Sequence, residues 1–172
     1  MAEAKTPTTP YRSRRMALGW SREHAAEKIG VSDDKLERIE NGKQRPNPQD
    51  VLIMSEVYQA PELCNFYCST DCEIGKRYVP RVPDSELPGI ILHLLDSVYE
   101  VEDIEKSLVR ITADDVIDES EVESLADAQY TLERLSVMVE ALQLCIERKI
   151  SRGEISRDAY CAAYEKAERR KR

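Results

Sequence analysis

Trp20 to Gly42 is the stretch that most constrains what this chain can fold into. Ser21 is placed to cap a helix whose apolar side is Ala25, Ala26 and Ile29. Gly30 ends that helix, because glycine takes the left-handed backbone of a helix stop at no steric cost. Val31 fills the angle that follows. Ser32 then caps a second helix, which buries Leu36 and Ile39 and stops at Asn41-Gly42. Caps and stops at this spacing hold two short helices across one another through a tight turn.

The same grammar extends outward. A helix is expected from Tyr11 to Leu18, closed by Gly19, after a disordered lead-in over 1–10. Past the loop Lys43-Gln44-Arg45-Pro46, Asn47 caps another helix, with Pro48 at its first position and Asp50 completing a capping box. It carries Val51, Leu52, Met54, Val57 and Tyr58 and ends near Ala60-Pro61; a short turn or helix follows to Tyr67. Leu, Ile, Val, Ala and Glu are abundant, only six residues are Gly, and no apolar alternation reads as a strand. The fold class is therefore all-α, with a five-helix N-terminal domain over 11–63.

Residues 64–85 hold prolines and cysteines and read as a linker. Beyond them, over 86–150, two helical stripes recur at spacings of three and four. The first runs through Leu87, Ile91, Leu94, Val98, Val101 and Leu108; the second through Ala128, Leu132, Leu135, Val139, Leu142 and Ile146. Asp118, three residues before Glu121, marks the start of the second helix. These are the arms of a long antiparallel, coiled-coil-like hairpin. Two helices cannot shield a stripe each, so the hairpin needs the N-terminal domain or a second copy. Leu87, Ile91, Leu94, Val98, Leu132, Leu135, Val139 and Leu142 are the candidate dimer contacts, giving a four-helix bundle. Residues 151–172 form a short last helix and a basic end.

The net charge of −8 is unevenly spread. Residues 1–60 carry ten Lys/Arg and nine Asp/Glu, while 82–155 carry six and eighteen. Any nucleic-acid contact must come from the N-terminal segment or the tail, since the acidic hairpin repels phosphate. A solvated helix end is the plainer account of the tail. No apolar run approaches the roughly 20 residues that span a bilayer, and no signal peptide is visible. With five Cys in a soluble sequence, a reducing cytoplasm is the expected location.

Crossed short helices of this kind are the helix-turn-helix, which sets its second helix in the DNA major groove. The order Gly19-Trp20-Ser21, Ala26-Glu27-Lys28-Ile29-Gly30-Val31-Ser32, Arg38-Ile39-Glu40-Asn41-Gly42 and Lys43-Gln44-Arg45-Pro46 resembles the Cro/phage-repressor, XRE-like regulators. More loosely, the layout behind it resembles regulators from phage and mobile elements of Gram-positive bacteria. The resemblance implies a repressor-like DNA-binding domain that reads double-stranded operator DNA. On it, Arg22 stands at a phosphate, where the family usually has Gln. Asp33, Asp34, Lys35, Glu37 and Arg38 lie on or near the base-reading face. Asn41, Lys43 and Arg45 meet the backbone. A dimer would space two recognition helices about one DNA turn, roughly 34–36 Å, for a palindromic site.

The chain departs from the family in the acidity of its second helix. Asp33, Asp34, Glu37 and Glu40 stand there against Lys35 and Arg38, where relatives more often carry Ser, Thr, Arg and Gln. A carboxylate can accept from cytosine N4, and Asp suits a helix's first turn. Four of them still oppose a phosphate field, so modest, salt-sensitive affinity is expected. The rival reading is an antitoxin-like or adaptor module whose acidic surface binds another protein.

Cys64, Cys68 and Cys72 are spaced for one helical face, but zinc wants a fourth ligand, so packing is the simpler account. The acidic turn Asp114–Glu121 lacks the central glycine of a calcium loop. No catalytic, metal or cofactor constellation stands out, and no enzymatic activity is expected.

Overall fold

The computed structural model describes residues 8–111 and 117–171. Among them are only helices: α1 (Pro10–Ala17), α2 (Arg22–Ile29), α3 (Asp33–Glu40), α4 (Pro48–Val57), α5 (Glu62–Thr70), α6 (Gly75–Tyr78), α7 (Leu87–Ile111), α8 (Val122–Ser151) and α9 (Arg157–Lys171). The chain divides into two compact units, one running to Val79 and including Glu147 onward, the other Pro80–Ile146.

In the first unit the helix ends are set by the expected side chains. The hydroxyls of Thr9, Ser21 and Ser32 accept from the backbone three residues on. Asn47 and Asp50 form the full capping box, with Pro48 opening α4. Gly30 closes α2 at φ 79°, a conformation that favours glycine. The buried faces then meet: Tyr11, Ala25, Ala26, Ile29, Leu36, Ile39, Val51, Met54, Tyr58, Ala60 and Leu63 form one core, with Trp20 and Val31 packed against it.

The domain reaches further at both ends than 11–63. Thr9, expected in a disordered lead-in, caps α1 and donates its hydroxyl to the Glu40 carbonyl at 2.9 Å; residues 1–7 lie outside the described residues. The expected linker 64–85 is helical over 64–70, the rest of α5, and again in α6. Phe66 packs edge-on to Tyr11, with ring centroids 5.9 Å apart. A Cβ on Gly75 would come within 2.1 Å of the Cys68 carbonyl oxygen, so only glycine lets α6 close on α5. The two prolines of 64–85, Pro80 and Pro83, both fall in the extended stretch before α7, so they break no helix in the part that precedes them. The five cysteines carry no disulfide.

In the second unit α7 and α8 run antiparallel. Ile90 near the start of α7 packs with Ala141 and Cys145. Further along, Arg134 pairs with Glu100 and Asp96. Asp118 caps the approach to α8 by accepting from Ser120 and Glu121 backbone nitrogens; residues 112–116 lie outside the described residues. On α7 the side buried within the hairpin lies one residue before the expected stripe. Ile90 and Ser97 are buried, whereas Ile91 and Val98 are exposed. On α8, Ala128 of the expected stripe is buried, as are Ala141 and Cys145, while Leu132 and Val139 are exposed. Ser97 tolerates burial because its hydroxyl donates to the His93 carbonyl one turn back, at 3.0 Å. The C-terminal helix is longer than expected, with Arg169, Arg170 and Lys171 in its last turn.

One ion pair ties α1 to the end of α3. Glu40 is 3% exposed, and both its oxygens accept from Arg15, at 2.6 and 2.8 Å. Removing one partner of such a pair strands a buried charge and costs about 3–5 kcal/mol. Tyr58 is also buried, but its hydroxyl has no hydrogen-bond partner among the described residues. Denaturant unfolding read by Trp20, the only tryptophan, should therefore show Glu40→Ala losing several kcal/mol. Tyr58→Phe should leave the midpoint unchanged or higher.

Candidate nucleic-acid interface

The turn between α2 and α3 is built for a fixed crossing. Val31 donates its backbone N–H to the Ala26 carbonyl at 3.0 Å, and Gly30 to the same carbonyl at 2.9 Å. Ala25, Ala26 and Ile29 face Leu36 and Ile39 in the shared core. Small side chains on α2 let α3 approach and leave its opposite side to solvent. That outer side carries Asp33, Asp34, Glu37 and Arg38.

Residues 12–63, about a third of the chain, match a family model described as a helix-turn-helix domain. This segment is a helix-turn-helix domain. No curated protein and no solved structure matches the chain. Among the described residues, no helix is long and apolar enough to cross a membrane.

The domain brings most of the predicted contact residues to the α2–α3 surface and neutralises several. Arg22 lies across the recognition helix: its Nε and Nη2 donate to the Asp33 carboxylate at 2.8 and 2.7 Å. Nη1 stands 3.3 Å from Glu37. Hydrogen bonding to Arg22 holds the Asp33 carboxyl below the ordinary carboxylate range, and the same contact pushes the Arg22 guanidinium up. The carboxylates of Asp33, Asp34 and Glu37 approach within 4.8 Å of one another. Two of these acids thus act as counter-ions to Arg22.

Lys35 is turned from the exposed face towards α4. Its Nζ donates to Oδ1 of the buried Asp50 at 2.9 Å and lies 2.7 Å from Oδ2, stitching α3 to the α4 N-terminus. Arg45 donates to Glu73 at 3.2 Å and so joins the loop after α3 to the segment between α5 and α6. Lys76 and Arg45 together hold the Glu73 carboxyl low. Asn41 caps α3, its N–H bonded to the Glu37 carbonyl, and Lys43 is exposed in the following loop. Arg38 is exposed and donates through Nε to Gln44 at 2.9 Å.

Sequence reading missed Asp50, Glu73 and Gln44 as partners of these cations. Separations of 15 and 28 residues leave no periodic trace. Gln44, six residues from Arg38, lay inside the quoted motif without an assigned role.

The Arg22–Asp33 contact has a direct readout. In an NMR titration the Asp33 carboxyl should titrate below the ordinary carboxylate value of roughly 3.9. Arg22→Ala should bring it back up. A depressed carboxyl keeps its partner above the ordinary value and loses it as pH falls through the folded value, so the pair should open only in acid.

Proposed function

We propose that this chain is a sequence-specific DNA-binding transcriptional regulator, acting as a dimer that represses by occupying a palindromic operator. The carrying observation is the helix-turn-helix itself: a capped α3, fixed across α2 by a shared core, with its outer side in solvent. On this reading Lys43 meets a phosphate and Arg22 stands beside one, held back by Asp33 and Glu37; phosphate contacts set register, and the outer side of α3 meets base edges, which set sequence. Asn41 and Arg45 flank the same backbone.

Dimerisation through the hairpin is supported by apolar side chains that the two helices leave uncovered. Ile91, Leu92, Leu95, Val98 and Tyr99 on α7, with Leu132 and Val139 on α8, are exposed. Leu87, Leu94, Leu135 and Leu142 are half-buried within the hairpin unit. A second hairpin of the same kind would cover the exposed set. Leu95→Glu with Val98→Glu, both on the uncovered side, should halve the mass seen by sedimentation equilibrium while helix content by circular dichroism is kept. A dimer that persists in this variant would rule out the assigned face.

A second reading rests on the charge pairing. Arg22, Lys35 and Arg45 each already meet a carboxylate, and the outer side of α3 is acidic. Such a surface suits a basic protein partner. Binding of the full chain to a random-sequence duplex at low ionic strength separates the two. If DNA is the ligand, Asp33→Asn with Glu37→Gln releases Arg22 for phosphate. Affinity should rise and the slope of log K against log salt should steepen by about one. If the wild-type chain binds no duplex at low salt, DNA binding is excluded and the protein-partner reading stands.

A further inference from the structure

Arg38 differs from the other cations around α3 in what holds it. The loop after Gly42 folds back over the end of the helix: Lys43 and Gln44 donate their backbone N–H groups to the Arg38 carbonyl at 2.8 and 3.1 Å. That wrap brings the Gln44 side chain beside the Arg38 guanidinium, and Nε donates to Gln44 Oε1 at 2.9 Å. Among the described residues, no carboxylate pairs with Arg38. A neutral amide fixes the direction of a guanidinium without cancelling its charge, whereas the carboxylates on Arg22, Lys35 and Arg45 do both. With Nε tied back, Nη1 and Nη2 remain as two parallel donors on an exposed helix face. That fork matches the O6 and N7 acceptors of guanine in the major groove. Holding it before contact also reduces the side-chain freedom lost on binding.

We propose that Gln44 is a positioning residue that aims Arg38 at a guanine in each half-site, so that this pair sets sequence preference at one base pair. The inference rests on the DNA-binding reading above. Asp33 and Glu37 have no such part, because Arg22 occupies them.

The test is selection of bound duplexes from a random-sequence library by the full chain and its variants, followed by affinities for the enriched duplex and its single-base changes. The wild-type chain enriches a guanine at one fixed position per half-site. Arg38→Ala loses about tenfold to a hundredfold discrimination there and keeps its preferences elsewhere. Arg38→Lys does not restore it, since a point charge lacks the fork. Gln44→Ala lowers the same discrimination about three- to tenfold with an unchanged thermal midpoint, and Gln44→Glu, which gives Arg38 a carboxylate counter-ion, weakens binding to the enriched duplex. On the Arg38→Ala background, Gln44→Ala has no further effect at that position. Enrichment with a guanine preference untouched by Arg38→Ala or by Gln44→Ala overturns the proposal while leaving DNA binding intact. Failure to enrich any duplex sinks the DNA-binding reading and this inference with it.

Discussion

The helix-turn-helix domain depends on the ion pair between Arg15 and Glu40. Its three guanidinium contacts reach two places: Glu40 at the end of α3, and the Trp20 carbonyl just before α2, at 2.7 Å. One side chain on α1 therefore fixes the end of one crossed helix and the entry to the other. The backbone of residue 40 is used as well, since its carbonyl accepts from Thr9. Apolar packing fills the angle between α2 and α3, but packing is non-directional. The pair adds direction, and its burial makes any rearrangement that separates the charges expensive.

Charge elsewhere on the domain follows from the same economy of partners. The acids of α3 look hostile to DNA when counted, yet Asp33 and Glu37 face Arg22, and Glu40 is inside. Asp34 remains outward and exposed. Three cations expected at a phosphate or a base also bridge parts of the domain: Arg22 joins α2 to α3, Lys35 joins α3 to α4, and Arg45 joins the loop after α3 to Glu73. The helix-turn-helix thus carries a network of intramolecular pairs on and beside the surface that would meet a ligand. Arg38, braced by an amide, stands outside that network.

Local signals were legible because they act through backbone hydrogen bonds between residues three or four apart. Ser21, Ser32, Asn47 and Asp50 cap where their spacing places them. The hairpin stripe was legible to within one residue. Ile90 and Ile91 are indistinguishable in a hydrophobic pattern, and Ser97 beside Val98 argues for the wrong neighbour. The buried choice of Ser97 follows from a hydroxyl that bonds within its own helix, which no count of apolar residues registers. Likewise, prolines in 64–85 suggested a linker because a pattern of breakers does not reveal that Gly75 allows α6 to pack on Cys68.

By itself the sequence determined the all-helical class, the ends of the first four helices and the buried side of α2 and α3. These follow from capping chemistry and helical period, both written in near neighbours. Only the tertiary structure decided which charges meet. Lys35 finds Asp50, Arg45 finds Glu73 and Arg15 finds Glu40 across 15 to 28 residues. Such pairing depends on how rigid helices are brought together, and sequence order carries no direct record of it. Whether a cation beside α3 is available to a ligand or already satisfied is therefore a property of the fold.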